Sequence, residues 1–459
     1  MGVHSDRSEA LNFLNEQLVW SVEMIGKDII ANACGEDKLD LYSVFGVARG
    51  LPRNYVYRES VDGVLERALR QDKHIVIHGT SKQGKTCLRK RVLDDKNPVV
   101  VQCLNERTLE DLYSSLLKAV GYEIVAEQKN SVSGGIKVSL RAKLAMRVLG
   151  KGVDAEGGIS AAGSATGEQL RKPIDIDLRD VNDVIRALSA TNCSKYIILE
   201  DFHYLPEETQ LNFAFALKAF HEISEYTFII VGVWRNRESI SMQNGDLEGR
   251  LITVDADKWT RSELLEVIHK GEQLMNIKID PEFKDVLVDS CFGSVFVVQE
   301  ACAKVCDRSS VFSTQADVVS VRGDVSEIVK DVISSNSSRY IDFIDRFSKG
   351  IRTRKLSLNK WVIRAVIEAG VDKAEKGITL KELRQVISSK HPSGEAIASP
   401  LQSVLKNTLK VQVNNGIKPI VLEYDRRARH LSVVDKTFLI WMRYADYSEV
   451  MEQIGFPEE

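Results

Sequence analysis

The chain lacks any apolar run long enough to cross a bilayer. Its longest, such as Tyr226 to Trp234, are far too short, so no membrane partner is expected. It opens Met1-Gly2-Val3-His4-Ser5-Asp6 and continues charged, without the pattern of a secretory signal. The Ser or Thr at position six that myristoylation needs is missing as well. No CxxC pair occurs among Cys34, Cys87, Cys103, Cys193, Cys291, Cys302 and Cys306. An odd count without such pairs argues against a disulfide framework or zinc site and for reduced thiols in a cytoplasm. Cys302 and Cys306 stand four apart on a predicted helix with no His or further Cys nearby, which reads as core packing. Neither sign of charge dominates: 62 basic residues against 65 acidic give a net −3, so any nucleic-acid surface must be local. Internal repeats are absent too.

What is present is ordinary for a soluble globular protein, with 44% hydrophobic and 28% charged residues. The 459 residues allow about two to four domains, each able to bury a core without disulfides. Residues 1–50 read as a polar helical segment with an apolar patch at Leu11, Phe13, Leu14, Leu18 and Trp20. Residues 51–255 alternate strands and helices. Short apolar strands are predicted at 73–78, 99–103, 195–199 and 227–232, with helices at 108–119 and 208–223 between them. That order implies an α/β fold, a parallel sheet covered by helices on both faces. Residues 123–175 interrupt it. From Ile136 to Val148 apolar and mostly basic residues alternate with period two, and a Gly/Ala/Ser-rich stretch follows. The expectation is a β-hairpin insertion with one basic face, either solvated or touching a ligand.

Residues 256–310 read as helical, from Arg261 to Leu274 and from Glu282 to Cys306, and 311–350 as a linker with a helix. In 351–459, helices are predicted at 358–369, 378–388 and 400–410, then strands at 420–424 and 430–434 joined by Asp425-Arg426-Arg427-Ala428-Arg429. Three helices and a hairpin fit a winged helix-turn-helix. Thr379 and Glu382 are spaced as a capping box for its middle helix. Arg426, Arg427, Arg429 and His430 at the wing tip suit a phosphate backbone, so double-stranded DNA is a candidate partner. The third helix, 401–410, carries few side chains that read bases, and a protein partner is the alternative.

Four segments carry chemistry. Gly79-Thr80-Ser81-Lys82-Gln83-Gly84-Lys85-Thr86 matches the phosphate-binding P-loop, between a predicted strand and a predicted helix as that motif requires. Its glycines let backbone N–H groups face phosphate oxygens, and the following helix, through Cys87, presents its N-terminus to the same anion. Lys85 would neutralise the β- and γ-phosphates of ATP or ADP, and Thr86 would hold Mg²⁺. Next come Glu200 and Asp201, at the end of an apolar strand: Glu200 for the metal shell, Asp201 to polarise an attacking water. After the next strand, Asn236 and Arg235 are both candidates to contact the γ-phosphate or the water, or are ordinary loop residues. Finally, Arg250 is either a surface residue or an arginine finger supplied by a neighbouring subunit.

Tyr55-Val56-Tyr57-Arg58-Glu59 resembles the box that precedes the P-loop in two related groups. One is the AAA+ initiator ATPases of the origin-recognition type, the other the signal-transduction ATPases with numerous domains (STAND). Leu199-Glu200-Asp201-Phe202-His203-Tyr204-Leu205 is similar to the Walker B segment of STAND regulators. The resemblance covers 52–310 by motif order. It implies an ATPase core with Arg58 among its nucleotide contacts, a helical lid after residue 255, and a nucleotide-controlled switch that forms homo-oligomers with ATP. A C-terminal winged helix suits both groups. Many bacterial STAND ATPases act in defence against phage, so defence and DNA metabolism are the settings the resemblance suggests. The chain departs from the pattern where Tyr57 replaces Gly, Glu200 replaces Asp, and the lid segment Phe292-Gly293-Ser294-Val295-Phe296 carries neither a sensor Arg nor Gly-x-Pro. These departures bear on hydrolysis rather than binding, and a low-turnover nucleotide holder acting through protein partners is the alternative.

Overall fold

The computed structural model describes residues 38–47, 50–129, 136–142, 174–233, 245–350 and 356–456. Among these residues eight strands precede position 256: β1 (His74–His78), β2 (Val99–Gln102), β3 (Tyr122–Lys129), β4 (Ile136–Ala142), β5 (Ile174–Asp177), β6 (Tyr196–Glu200), β7 (Thr227–Val231) and β8 (Leu251–Asp255). Five of them form a parallel sheet in the order β2-β6-β7-β1-β8. Alternate side chains enter different cores, as the pleat requires. Val76, Ile197, Leu199, Phe228 and Ile230 pack with the helices Leu109–Ala119, Val181–Ser189 and Glu207–Ile223. On the other face, Ile75, Ile77, Ile198, Ile229 and Val231 pack with Val61, Leu65, Leu88 and Val92. The mixed α/β class with a covered parallel sheet is therefore the one that forms. Strand β8 has no counterpart in the sequence reading. It lies at the sheet edge, only Val254 of its five residues is buried, and so no apolar run marks it.

The insertion differs from the expected hairpin. β3, β4 and β5 make a separate three-stranded antiparallel sheet, and β3 begins before the alternating run. Val138, Leu140 and Ile176 bury into the core shared with Leu112 and Leu116, while Lys137 and Arg141 stay exposed. The rest of the alternating segment, residues 143–148, lies outside the described residues, as does the apolar patch at 11–20.

The segment 256–310, expected as a lid and so called, holds helices Arg261–Met275, Pro281–Ser290 and Val295–Arg308. The helix expected from Glu282 to Cys306 is broken at 291–294. There Phe292 and Gly293 take positive φ of 51° and 67°, and Ser294 caps the next helix through Val297 N–H. The start of the segment 311–350, read as a linker with a helix, supplies β10 (Val319–Val321), paired parallel with β9 (Ile277–Ile279). It leads into a 25-residue helix, Val325–Lys349, whose Ile328, Val332, Tyr340, Phe343, Ile344 and Phe347 are buried. The serine-rich centre of that helix, 334–338, hides its period from the sequence, because Ser is a weak helix former.

The C-terminal unit sets helices Leu358–Ala369, Leu380–Lys390 and Ala398–Lys406 beside β11 (Ile378–Thr379), β12 (Leu422–Asp425) and β13 (His430–Val433). These strands form an antiparallel sheet in the order β11-β13-β12. The Thr379–Glu382 capping box is formed, and its hydrogen bonds hold the Glu382 carboxyl down at about 2. The expected helix at 400–410 breaks at Asn407, and a separate helix runs Thr408–Asn414. Helices Lys436–Tyr444 and Tyr447–Gln453 follow. Lid and C-terminal unit share one continuous apolar core. Among the described residues no helix is long and apolar enough to cross a membrane.

Candidate functional site

Every residue of β1 is buried, and the strand delivers the chain to Gly79. Gly79 has φ 147° and Gly84 φ 84°, so both bends need glycine. A Cβ on Gly79 would also fall 3.1 Å from Asp257 Oδ1. Gly84 caps the helix Lys85–Leu93, whose first N–H groups open onto the loop. Lys85 curls back, its Nζ donating to the carbonyls of Gly79 (2.9 Å) and Thr80 (2.6 Å). Burial pulls its pKa down to about 8, against the upward pull of Asp257, Asp201 and Glu200. A cation with so little water around it is suited to a full anionic charge in place of the partial charges of carbonyls. The Gln83 amide is fully buried, and neither its Nε2 nor its Oε1 has a hydrogen-bond partner among the described residues. Ser81 and Cys87 are half-buried, and Thr86 is exposed on the first turn of the helix.

Glu200 ends β6 on the neighbouring side. Its Oε1 lies 2.6 Å from Arg89 Nε, four residues beyond Lys85 and hence on the same helix face. Burial raises the Glu200 carboxyl and Arg89 opposes that rise. Asp201 follows in the left-handed region at φ 56°, and its Oδ2 accepts from Gln102 Nε2 at 2.6 Å. Gln102 comes from the end of β2, directly opposite Glu200 in the sheet register. Buried His203 accepts the Val233 N–H at its Nδ1 (3.2 Å), tying the turn after β6 to the end of β7. Burial, with help from Lys85 and Lys418, holds His203 down to about 3 and therefore neutral.

Mg²⁺ generally takes one or two carboxylates together with substrate phosphates. Thr86 and Asp201 suit that mode. Glu200 is already engaged by Arg89, so its part in a metal shell requires that pair to loosen. Among the described residues no group of three His, Cys, Asp or Glu side chains is arranged to hold a metal alone.

Arg58 does not reach the loop directly. It is buried, its Nη1 donates to the carbonyls of Ala256 (3.0 Å) and Lys258 (3.4 Å), and its guanidinium lies 3.9 Å from the Trp259 ring centroid. Trp259 Nε1 in turn donates to the Gln83 carbonyl at 3.3 Å. Asp257 accepts from Thr80 N–H (2.8 and 2.9 Å) and from Thr80 Oγ1 (2.7 Å). Asp257 and Trp259 thus fasten the loop to the hinge between sheet and lid. Sequence reasoning missed both, along with Arg89 and Gln102. The only local signal was Asp255-Ala256-Asp257-Lys258-Trp259 at the end of β8.

Two candidates do not join this site. Arg250 lies at the opposite end of the sheet: its carbonyl accepts His74 N–H at the start of β1, and its guanidinium binds Glu222 (2.9 Å) and the Asp246 carbonyl. Within one chain it cannot meet the loop, and a catalytic role would need a second copy. Asn236 and Arg235 lie outside the described residues.

The C-terminal unit touches both flanks of the site. On the lid flank, Lys436 Nζ is 3.4 Å from the Gly293 carbonyl, and Arg443 lies over Phe292 at 4.5 Å. Lys82 of the loop sits 3.7 Å from the Phe296 ring centroid. On the β6 flank, Lys418 lies over Tyr204 at 4.3 Å, and Asn105 Nδ2 donates to the Val413 carbonyl at 3.3 Å. Arg426, in the turn between β12 and β13, grips Glu207 with both terminal nitrogens, at 2.9 and 3.3 Å.

No family model and no curated protein match the chain. Among solved structures it is similar to a Walker-type ATPase of Pyrococcus abyssi, at 12% identity and TM-score 0.53, over 87% of this chain and 99% of that one. The Orc1 protein of Aeropyrum pernix, solved in complex with DNA, aligns at 10% identity and TM-score 0.43, over 91% and 96%. Cdc6p of Pyrobaculum aerophilum aligns at 11% and 0.34, over 91% and 98%. At these identities the first likeness is one of fold.

Proposed function

We propose that this chain, which has the fold of a Walker-type P-loop ATPase, binds ATP and ADP and works as a nucleotide-controlled switch of the AAA+/STAND kind. The observation that carries the reading is Lys85. An ammonium enclosed on two loop carbonyls, with Asp257, Asp201 and Glu200 acting on its charge, is a site for β- and γ-phosphates. The N–H groups of the loop and of the first helical turn would cradle the same oxygens. Thr86 and Asp201 would hold Mg²⁺, which would draw charge off the transferring phosphate. Asp201, steadied by Gln102, would orient the water and accept its proton. The C-terminal unit, read as a winged helix, would shift with nucleotide state, with double-stranded DNA or a protein at its wing. A homo-oligomer with ATP is part of the same reading, and it is the only arrangement in which Arg250 acts as a finger. Defence or DNA metabolism is the proposed setting. Calorimetry on the Lys85→Ala variant tests the core of this: affinity for both nucleotides should fall by about 100-fold or more. Unchanged affinity would end the proposal.

A second reading is favoured by one contact. With Glu200 held by Arg89, the chain would bind nucleotide and barely turn it over. Steady-state hydrolysis with and without duplex DNA separates the two. Stimulated turnover supports the switch, and copurified ADP with negligible turnover supports the holder.

A further inference from the structure

The segment 292–296 has no arginine, yet one is presented near the lid by another element. Arg339 belongs to the long helix Val325–Lys349, which connects lid and C-terminal unit. Its neighbour Tyr340 is buried against Phe438 and Trp441, with ring centroids at 5.3 and 5.6 Å, which fixes this part of the helix on the C-terminal unit. The guanidinium pairs with Asp435 Oδ2 and keeps a quarter of its side chain exposed.

Two lines locate that pair. First, Lys436, the residue after Asp435, reaches the Gly293 carbonyl of the lid, and Phe296 just beyond carries Lys82 of the phosphate loop on its ring. Secondly, Arg339 acts electrostatically on both sides of the site. Lys82 feels Asp435, Arg339 and Glu300, and Tyr204, three residues past Asp201, feels Asp201 and Arg339. A cation that reaches both the crest of the loop and the turn after β6 faces the place where a terminal phosphate would stand.

Asp435 keeps its other partners when Arg339 leaves. Its Oδ1 caps the next helix through the N–H groups of Thr437 (3.0 Å) and Phe438 (3.2 Å), while Oδ2 holds Arg339. The cap persists if Oδ2 loses its partner. The exchange leaves the buried Asp435 carboxylate on its two N–H donors, a cost that the higher charge of the terminal phosphate must exceed, and it does not unwind a helix.

Resting on the nucleotide reading above, we propose that Arg339 is the γ-phosphate sensor of this chain. It is a cation presented in cis by the C-terminal unit, and it exchanges Asp435 for the terminal phosphate of ATP. ADP offers no such phosphate and leaves the Arg339–Asp435 pair closed. Discrimination between the two nucleotides, and the seating of the C-terminal unit, then depend on one side chain that no lid motif supplies.

The test is calorimetric affinity for ADP and for a slowly hydrolysed ATP analogue, both with Mg²⁺, on the full chain and on Arg339→Ala, Arg339→Gln, Asp435→Asn and Lys85→Ala. Both Arg339 variants should weaken the analogue about tenfold or more and leave ADP within about twofold. The glutamine variant carries the comparison if the alanine variant melts early. Asp435→Asn keeps the helix cap and frees Arg339, so it should raise the preference for the analogue over ADP. Equal loss for both nucleotides, or no loss for either, in the folded Arg339 variants overturns the proposal while the P-loop reading stands. If Lys85→Ala binds both nucleotides as the wild type does, the P-loop reading fails and this inference falls with it.

Discussion

Arg89→Met tests whether Glu200 is held in the site by its ion pair. Methionine keeps the stem length of the side chain and removes the charge. The two partners retain only 10% and 11% side-chain exposure and meet at 2.6 Å, so the carboxylate left behind has little access to water. Removing one partner of a buried pair costs about 3 kcal/mol. For a cooperative unit of roughly 150–250 residues that lowers Tm by about 6–12 °C. The effect should depend on pH with a definite sign. Burial already raises the Glu200 carboxyl in the folded state, and Arg89 is the main group opposing it. A carboxyl raised on folding contributes stability below its unfolded pKa, and that contribution is lost as pH rises through its folded pKa. Loss of Arg89 raises the folded value further. The penalty of Arg89→Met is therefore smallest near about pH 4 and grows toward neutrality. Adding Glu200→Gln to Arg89→Met removes the stranded charge and should recover more than half of the lost Tm. Thermal melts of wild type, single and double variants across pH measure all of this. A single variant within about 1 °C of wild type at neutral pH, or one whose penalty shrinks as pH rises, would refute the reasoning.

Lys85 and the Arg426–Glu207 pair carry further outcomes. With the Lys85 pKa held down to about 8, a bound phosphate must keep the ammonium charged, so nucleotide affinity should fall as pH rises through about 8. Lys85→Arg should flatten that profile, and an unchanged slope in isothermal titrations from pH 7 to 9 would count against the assignment. The Arg426–Glu207 pair is exposed, at 53% and 71% of its side chains, so Glu207→Ala should leave Tm within about 1 °C. If the wing takes a phosphate backbone, the same variant frees Arg426 and should tighten duplex binding a few-fold at low salt, while Arg426→Ala lowers the salt slope by about one. Fluorescence anisotropy over a salt series reads both, and unchanged affinity in the two variants would remove DNA from the wing.

The loop from Gly79 to Thr86 is legible because its chemistry is local. Gly79 and Gly84 are needed by the backbone conformation of the residues that carry them, and the strand before and the helix after are written in adjacent apolar residues. What holds this loop is not local. Asp257 meets Thr80 across a separation of 177 residues, and Trp259 meets the Gln83 carbonyl across 176. A carboxylate that will accept an N–H from a distant turn looks, in sequence, like any other aspartate after a strand. The same limit explains β8, which needs β1 beside it to be a strand at all, and the 25-residue helix, whose apolar face is recognisable only once Phe438 and Trp441 pack against it. The same limit bears on Arg250, read as a surface residue or as a finger for a neighbouring subunit. Its place beside the motifs in sequence says nothing about which end of a parallel strand it occupies. The loop sits at the C-terminal end of β1, and Arg250 sits before the first residue of β8, so strand direction alone separates them. Strand direction argues the other way for Glu200 and Gln102. Both end their strands on the loop's side of the sheet, and the register pairs them, so any carboxylate placed just after β6 would find the Gln102 amide waiting. For a parallel sheet, the residues worth testing for chemistry are those at strand C-termini and on the helix that leaves the loop. By that rule Arg89 and Gln102 could have been named from the sequence once the strands were known, whereas Arg339 could not, since it depends on how the C-terminal unit is seated.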